Sequence, residues 1–465
     1  MMDANHSRLA ISCTLLRCWF AVAALLAPDC CSGEELAGIR VRTEPTASPV
    51  SISLKLLARH RLQINADGRS LESPARLQIE LPISGADSWP VFDVEVRDAG
   101  GQPVERRHPG VGWERFSIEL PTRMCRFVVQ VAPTKPREKR FPEQDRKVTD
   151  AEQRYQATVA RWQGDRDAAL CLRFDDAHPS HLATVMPMLE RYGYRATFMI
   201  NPGLESTARG SKVASAYARH LDRWEAAARG GRHEFGNHTS HHRGAASDEE
   251  MDREIGEAAR AIWRLFPDRS KLLSLNLGGG TWWRTRRPLR YYLERYPSFV
   301  VTGSLGMDDA YGDRVAVFRR HLQRNLEGGL GWCKAHFHSV GDDLATSEAN
   351  LRAVLEIVRA QEDRLWITGL ADAYKYLVER QSCRLEMVDA TDHEMSLRVT
   401  CTTDPRLFDQ PLTIRVSLPV DWRQAVRVVD RAGRERESTV TRRDGQAVVL
   451  FDVRPVTDTY RISSK

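Results

Sequence analysis

The first residues that could do chemistry are two adjacent carboxylates at the end of an apolar segment. Residues 168–174 read AALCLRF, and Asp175 and Asp176 follow directly. Burying two adjacent carboxylates is costly unless they are paired or bind a metal ion. The carboxyl ends of strands are where α/β folds build their sites. An isolated Asp-Asp pair is more often a solvated turn, so its meaning depends on the groups that meet it.

Histidines supply two further groups. His238 and His242 are four residues apart, and one helical turn would place both imidazoles on one side. Two imidazoles and one carboxylate around an open position are typical of catalytic zinc. With 14 histidines in the chain, this spacing also arises by chance. His336 and His338 would share one face of a strand, as site residues or as packed structural histidines.

The three groups mean more together than separately, because each follows a predicted strand of one region. Together they supply a metal site, a spare carboxylate and a spare imidazole. Hydrolysis of an amide or ester needs that set, namely a Lewis acid, a base and an acid.

Strand and helix patterns alternate between about residues 165 and 380, which predicts an α/β domain with a largely parallel sheet or barrel. A helix is predicted over residues 181–192, where Gly193 suits its C-cap and Pro187 predicts a kink or a fresh start. The other predicted elements are a strand over residues 196–200 and helices over residues 248–266 and 347–360.

The two ends of the chain alternate apolar and polar residues with the period of half-buried strands, as at Leu77, Ile79 and Leu81. Packing or spacing is favoured over sugar binding for these outer units. The predicted organisation is a signal peptide over residues 1–33, an N-terminal β domain over 34–133, a charged linker over 134–164, a catalytic domain over 165–381 and a C-terminal β-sandwich-like domain over 382–465.

Three segments carry a resemblance to a known family. They read RFDDAHPSHLATVMPMLERYGYRATFMINPG, HEFGNHTSHH and AHFHSVGDD, the last followed by WITGLADAYKYLVERQS. Together they resemble the polysaccharide deacetylase, or NodB-homology, family (carbohydrate esterase family four) over nearly half the chain. The first segment matches a Phe-Asp-Asp-Gly motif, with Ala177 in place of Gly, and the second matches His-Ser/Thr-x-x-His in full.

The resemblance implies a distorted, incomplete (β/α) barrel, here flanked by two all-β domains. It implies that Asp176, His238 and His242 hold a divalent metal, most often zinc, although cobalt, nickel or manganese suits the same ligands. It also implies that Asp175 is the base and that His338, rather than His336, is the acid.

One segment departs from the family pattern. The family commonly has an Arg-x-x-Pro-Tyr type segment whose Arg orients the base, but the corresponding residues 274–283 contain neither the Arg nor the Pro. Arg284, Arg286 and Arg287 follow closely, and the sequence does not place them. Three glycines in this segment allow close approach of the backbone.

Two classes of function follow. The first is a metal-dependent hydrolase that removes N- or O-linked acetyl groups from an acetylated polysaccharide or oligosaccharide and releases acetate. The alternative is a catalytically impaired glycan-binding pseudo-enzyme, or another amide hydrolase on the same fold. The intact ligand set with Asp175 favours the enzyme, whereas the missing Arg favours the pseudo-enzyme.

Composition narrows the partners and the compartment. Lys and Arg number 68 against 62 Asp and Glu, and a net charge of +6 over 465 residues gives no case for a nucleic-acid partner. Arg8, the apolar residues 18–27 and the small residues 30–33 follow the order of a secretory signal. We therefore expect export to the periplasm, cell surface or medium, with no stable membrane span after the leader is removed. Cys383 and Cys401 could bridge there or remain two buried thiols.

Overall fold

The structure, a computed structural model, describes residues 33–44, 46, 48–58, 60–81, 93–107, 115–132, 139–203, 216–328, 331–419, 422, 426–443 and 445–464. The predicted signal peptide therefore lies outside the described residues except for Gly33. None of the described helices is long and apolar enough to cross a membrane.

The strands and helices are numbered in chain order. The strands are β1 (Gly33–Leu36), β2 (Ile39–Thr43), β3 (Ser51–Ala58), β4 (Arg61–Asp67), β5 (Ala75–Glu80), β6 (Asp93–Arg97), β7 (Pro103–Arg107), β8 (Arg115–Leu120), β9 (Met124–Ala132), β10 (Lys147–Thr149), β11 (Gln156–Val159), β12 (Ala168–Phe174), β13 (Thr197–Ile200), β14 (Glu234–Asn237), β15 (Leu273–Leu275), β16 (Ser298–Val300), β17 (Leu305–Gly306), β18 (Trp332–Phe337), β19 (Leu365–Ile367), β20 (Cys383–Ala390), β21 (Glu394–Cys401), β22 (Leu412–Ser417), β23 (Val426–Asp430), β24 (Glu435–Arg436), β25 (Ser438–Arg443), β26 (Gln446–Val453) and β27 (Asp458–Ser464). The α-helices are α1 (Met186–Tyr192), α2 (Ala216–Arg219), α3 (Leu221–Gly230), α4 (Asp248–Leu265), α5 (Leu289–Arg295), α6 (Arg314–Glu327), α7 (Glu348–Arg359) and α8 (Leu370–Gln381).

The first compact unit contains β1–β9 in two sheets. One sheet has the order β1-β2-β5-β8 and is antiparallel, and the other has the order β3-β4-β9-β6-β7. In β5, Leu77 and Ile79 are fully buried and the intervening Gln78 is exposed, as the alternation predicts.

The second compact unit is built on a parallel sheet of order β16-β15-β14-β13-β12-β18-β17. All seven residues of β12 are buried, because helices and strands cover both of its faces. One edge of β12 pairs with β18. The other edge is shared, since Ala168–Leu170 pairs with β19 and only Arg173 and Phe174 pair with β13. This shared edge curls the sheet around the end of β12.

The first helix after β12 shows how local sequence sets the geometry. A π-helical turn at His181–Val185 leads into α1, which has Pro187 in its first turn. Proline is tolerated there because its missing N–H would have no intrahelical partner. Gly193 ends α1 with a left-handed φ of 75°. Val185 and Met186 keep right-handed helical dihedrals, so the π-helical turn and α1 form one continuous helical segment in which the helix type changes beside Pro187.

Two antiparallel sheets complete this unit, with orders β10-β11-β22-β26-β25 and β20-β21-β27-β23-β24. The strands β10 and β11 come from residues 134–164, which composition predicts to be a linker. In the described part of that range, Tyr155, Ala157 and Trp162 are fully buried, so these residues belong to a core and the linker prediction was wrong for them. The high content of charged residues led to the linker prediction, but in the strands the charged and polar side chains face outward between buried ones.

The described cysteines are all free thiols, namely Cys125, Cys171, Cys333, Cys383 and Cys401. Cys383 and Cys401 lie directly opposite each other on β20 and β21, and both are buried. Of the two alternatives left open by the sequence, the structure has two buried thiols.

Candidate active site

The end of β12 separates the two adjacent carboxylates. The Asp175 N–H donates to the Phe337 carbonyl at 2.8 Å, which prolongs the ladder with β18 by one residue. The chain then turns sharply, because Asp176 and Ala177 both have positive φ, at 72° and 47°. As a result, the Asp175 side chain is almost fully buried, whereas that of Asp176 is 30% exposed.

Asp176, His238 and His242 meet as the sequence predicts. His238 Nε2 lies 3.2 Å from Asp176 Oδ1, and His242 Nε2 lies 3.8 Å from the same oxygen. One potential ligand atom from each residue lies within 4.8 Å of the others. Two imidazole nitrogens and one carboxylate oxygen form a donor set that suits zinc and related divalent metals.

The orientation of the histidines is fixed by their backbone surroundings. His238 Nδ1 donates to the Asn276 carbonyl at 3.0 Å, which leaves the lone pair of Nε2 facing Asp176. His242 comes from a bent loop and not from the helical turn considered in the sequence analysis. Thr239 and His242 have positive φ, at 64° and 53°, and the Thr239 hydroxyl accepts a hydrogen bond from the His242 N–H.

Gly278 gives His242 the space that its ring occupies. A Cβ atom at position 278 would lie 2.3 Å from His242 Nε2, and the φ of Gly278 is +85°. A Cβ atom at the neighbouring position 279 would have no other atom within 4 Å. The close backbone approach expected of the three glycines therefore occurs at Gly278.

Asp176 and His238 favour each other's charged forms, whereas the two histidines oppose each other. Burial acts to raise the pKa of Asp176, but His178 and His238 outweigh it and hold the pKa below its ordinary value. Burial acts to lower the pKa of His238, but Asp175 and Asp176 raise it overall. Burial and the neighbouring His238 lower the pKa of His242.

Asp175 is held by an arginine that the sequence analysis did not identify. Arg173 Nη2 lies 2.7 Å from Asp175 Oδ2, and the two side chains are 5% and 3% exposed. The pair forms because residues two apart on a strand share a face. Within the described ranges, no group donates a hydrogen bond to Asp175 Oδ1. The spacing of Arg173 and Asp175 in RFDD was the clue available in the sequence.

The arginines after residue 283 have other partners. The Arg284 guanidinium lies 4.5 Å from the Trp282 ring centre, and that of Arg287 lies 4.4 Å from Tyr291. The Arg286 N–H donates to Asp248. None of these contacts involves Asp175.

His336 and His338 differ in their surroundings. His338 Nδ1 lies 2.7 Å from Asp308 Oδ2, and its N–H donates to Asp308 Oδ1 at 3.3 Å. His336 Nδ1 lies 3.1 Å from the Ser304 hydroxyl, and burial followed by the nearby Arg173 lowers the pKa of His336 to about 4. The sequence analysis did not identify Asp308.

Comparison with known proteins bears on the same region. The polysaccharide deacetylase family model matches residues 163–288, a range that contains Asp175, Asp176, His238 and His242. A curated relative is a gellan lyase from Bacillus sp., which is 22% identical over 336 residues. That match covers 64% of this chain and 13% of the relative, so the chain spans only a small part of its length.

Two solved structures are similar to part of this chain. One is a carbohydrate esterase family four pseudoenzyme from Bacillus anthracis, with 14% identity, coverage of 43% of this chain and 63% of that chain, and a TM-score of 0.31. The other is a peptidoglycan deacetylase from Bacillus subtilis, with 17% identity, coverage of 46% and 92%, and a TM-score of 0.32.

Proposed function

We propose that this chain, whose residues 163–288 form a polysaccharide deacetylase domain, is a metal-dependent hydrolase that removes acetyl groups from a carbohydrate polymer. The observation that carries the proposal is the meeting of Asp176, His238 and His242 beside a buried, arginine-held carboxylate. A protein that only bound glycan would have no need of that carboxylate.

Asp175 is proposed as the general base. Arg173 holds Oδ2, while Oδ1 is left to accept a proton from the attacking water. The register of the sheet supports His338 as its partner. Phe174 and Phe337 are paired across β12 and β18, so Asp175 and His338 are the next residues of two adjacent parallel strands.

His338 is proposed as the general acid. Asp308 fixes Nδ1, which leaves Nε2 to donate a proton to the departing amine or hydroxyl group. His336 suits this role less well, because a pKa of about 4 leaves it neutral near pH 7. Its contact with Ser304 is consistent with a packing role.

The proposed metal ligands are Asp176, His238 and His242, and the proposed metal is zinc. Bound there, a divalent cation would polarise the acetyl carbonyl as a Lewis acid and lower the pKa of water. Cobalt, nickel and manganese suit the same nitrogen and oxygen ligands. In the overall reaction, water adds hydroxide to the acetyl carbon and a proton to the departing nitrogen or oxygen, and acetate leaves.

The remaining parts of the chain have proposed roles of packing and location. The sheets before residue 133 would form an all-β domain. The two antiparallel sheets of the second unit, one of which includes β10 and β11, would form the β part that accompanies a distorted (β/α) barrel. The apolar residues 18–27 support export of the chain and cleavage near residue 33. N-terminal sequencing of protein from the native host that still began at Met1 would count against export.

The experiment that tests the function is acetate release from a panel of N- and O-acetylated polysaccharides, with and without a chelator. We expect release from at least one polymer and its loss on chelation. If the protein bound zinc and an acetylated glycan yet released no acetate from any polymer, the glycan-binding alternative would stand. The missing Arg in residues 274–283 is the observation that favours that alternative.

A further inference from the structure

A second cleft lies at the other end of β12 from Asp175. It has a volume of about 420 Å³, and Asp165, Arg166 and Asp167, which precede β12, form part of its wall. Because β12 has seven residues, at about 3.3 Å each, this cleft and Asp175 are separated by about 23 Å along the strand. The cleft therefore does not belong to the candidate active site.

The wall of this cleft is strongly basic. Two carboxylates, Asp165 and Asp167, face six cationic side chains there. The cationic residues are Lys147, Arg161, Arg166, Arg380, Arg415 and Arg443. We call it the basic cleft.

The sheet itself aligns part of the basic cleft. Lys147 on β10 lies opposite Thr158 on β11, and Thr158 lies opposite Arg415 on β22. Cross-strand partners point to the same face of a sheet, so these three side chains form one row. Arg380 of α8 has a side chain only 16% exposed, and its Nε donates to the Ala160 carbonyl at 3.2 Å.

Fold stability accounts for some of these charges. Asp165 lies 3.3 Å from Arg443 and 3.8 Å from Arg415, which fastens β25 and β22 to the turn before β12. Arg380 is paired with Glu143 at 3.1 Å.

Among the described residues, the remaining three cations lack an ion pair, although Arg166 Nη1 donates a hydrogen bond to the Asp363 carbonyl. In the part of the chain that the structure describes, no carboxylate lies within 4.0 Å of the side-chain nitrogens of Lys147, Arg161 or Arg166. Asp167 is paired with Arg364, which is not part of the wall. Like charges around one cavity repel each other and raise the local concentration of anions. The fold thus maintains an excess of positive charge here.

We propose that the basic cleft binds the carboxylate or phosphate groups of an acidic polysaccharide. Guanidinium groups form paired hydrogen bonds with both kinds of oxyanion, and Gln156 and Thr158 add polar groups that suit sugar hydroxyls. No aromatic side chain is among the described residues of the wall, so the stacking platforms used for single-stranded nucleic acids are missing. The choice of a glycan rests on the proposed function of the same compact unit. A site at the other end of β12 would hold the polymer while another stretch of it reaches Asp175.

Calorimetric titration of the full chain with four probes tests this proposal. The probes are hexagalacturonate, an oligomer of glycerol phosphate, neutral chitohexaose and a thymidine hexanucleotide. We expect one or both acidic glycan-type probes to bind, more weakly as salt is raised, and to bind more tightly than the other two. Hexagalacturonate and the glycerol phosphate oligomer separate a carboxylate source from a phosphate source.

The double variant Lys147→Glu/Arg161→Glu tests whether the probes bind in the basic cleft. Both side chains are exposed, so the fold should tolerate the change. Affinity for the bound probe should fall about tenfold or more, since two charge contacts are lost and each reversal adds repulsion. The matched control is Arg442→Glu. Arg442 is an exposed neighbour of Arg443 on β25 and points to the opposite face, so this variant should bind as the parent does.

Three results would overturn the proposal. These are equal binding of neutral and acidic probes, tightest binding of the oligonucleotide, and equal affinity of the cleft variant and the parent. Binding is measured without any reaction. Failure of acetate release therefore counts against the proposed function alone, whereas failure of these titrations counts against the basic cleft alone.

Discussion

The guanidinium of Arg173 lies 2.7 Å from the carboxylate of Asp175, and both residues belong to the same strand end. In the polysaccharide deacetylase pattern, a base-orienting arginine lies in the segment that corresponds to residues 274–283, and these residues contain no arginine. A strand provides an equivalent contact at a spacing of two, since alternate side chains share a face. The departure from the family pattern thus does not leave Asp175 without a cationic partner.

Replacing Arg173 by Met should lower kcat about 10–100-fold with little change in KM, because Asp175 loses the group that orients it. Arg173→Lys should recover part of the loss, since a single ammonium replaces the paired geometry only in part. Zinc content should remain that of the parent, because Arg173 does not touch Asp176, His238 or His242. Steady-state kinetics measure kcat and KM, and elemental analysis measures the zinc content.

The matched control for this change is Arg295→Met. Arg295 forms another buried ion pair in the same unit, 2.7 Å from Asp252. Breaking either pair should destabilise the fold by about 3–5 kcal/mol, but only the Arg173 change should lower kcat. Equal losses of kcat in the two variants would assign Arg173 to stability alone.

Asp175→Asn should retain zinc and lose about 10²–10⁴-fold in turnover, because the change keeps the shape but removes the basic carboxylate. Acetate release at the parent rate would show that Asp175 is not the base. Loss of zinc instead would mean that the assigned roles of Asp175 and Asp176 are exchanged.

The sequence predicted the strands that carry the site, together with the convergence of Asp176, His238 and His242. The strands were recognised because apolar runs are local patterns, whereas the convergence was implied by the resemblance to the family motifs. Asp308 escaped notice, since its pairing with His338 joins residues 30 positions apart in the chain. The strands β10 and β11 were missed because the surrounding charges outweighed a short alternation such as Ala157 and Val159.

His338→Ala should lower turnover strongly on an unactivated acetamide and least on esters with good leaving groups, which need little protonation. His336→Ala should mainly reduce stability, because this half-buried ring packs beside Ser304 and Arg173. Turnover on both substrate types and thermal unfolding of both variants separate these effects. An active His338→Ala beside a folded but inactive His336→Ala would reverse the assignment.

Glu234 predicts a pH dependence of stability away from the site. This buried carboxyl group accepts hydrogen bonds from the Ala371 N–H and the Ser274 hydroxyl, and burial followed by the charge of Asp372 raises the pKa of Glu234 to about 7. A folded-state pKa above the unfolded value favours the protonated fold. Its stabilising contribution is therefore complete below about pH 4.3 and is lost as the pH rises towards 7.

Glu234→Gln makes the side chain neutral at every pH. The difference in unfolding free energy between parent and variant should therefore shift in favour of the variant between about pH 4.3 and 7. Denaturant titrations across that range measure it. Parallel stability curves for the two proteins would mean that Glu234 does not change its protonation in this range.

The last prediction uses two adjacent glycines as a matched pair. Gly278→Ala should weaken zinc binding about 10–100-fold, because the new methyl group would meet His242 Nε2 at 2.3 Å and the left-handed backbone disfavours alanine. Gly279→Ala should bind zinc as the parent does, since its Cβ would meet no other atom within 4 Å. Competition titrations with a zinc indicator give both affinities without any assay of activity. Because the two changes add the same methyl group to the same segment, a general effect on the segment would weaken both variants. Equal zinc affinity in the two variants would therefore mean that Gly278 does not position His242, or that His242 does not hold the metal.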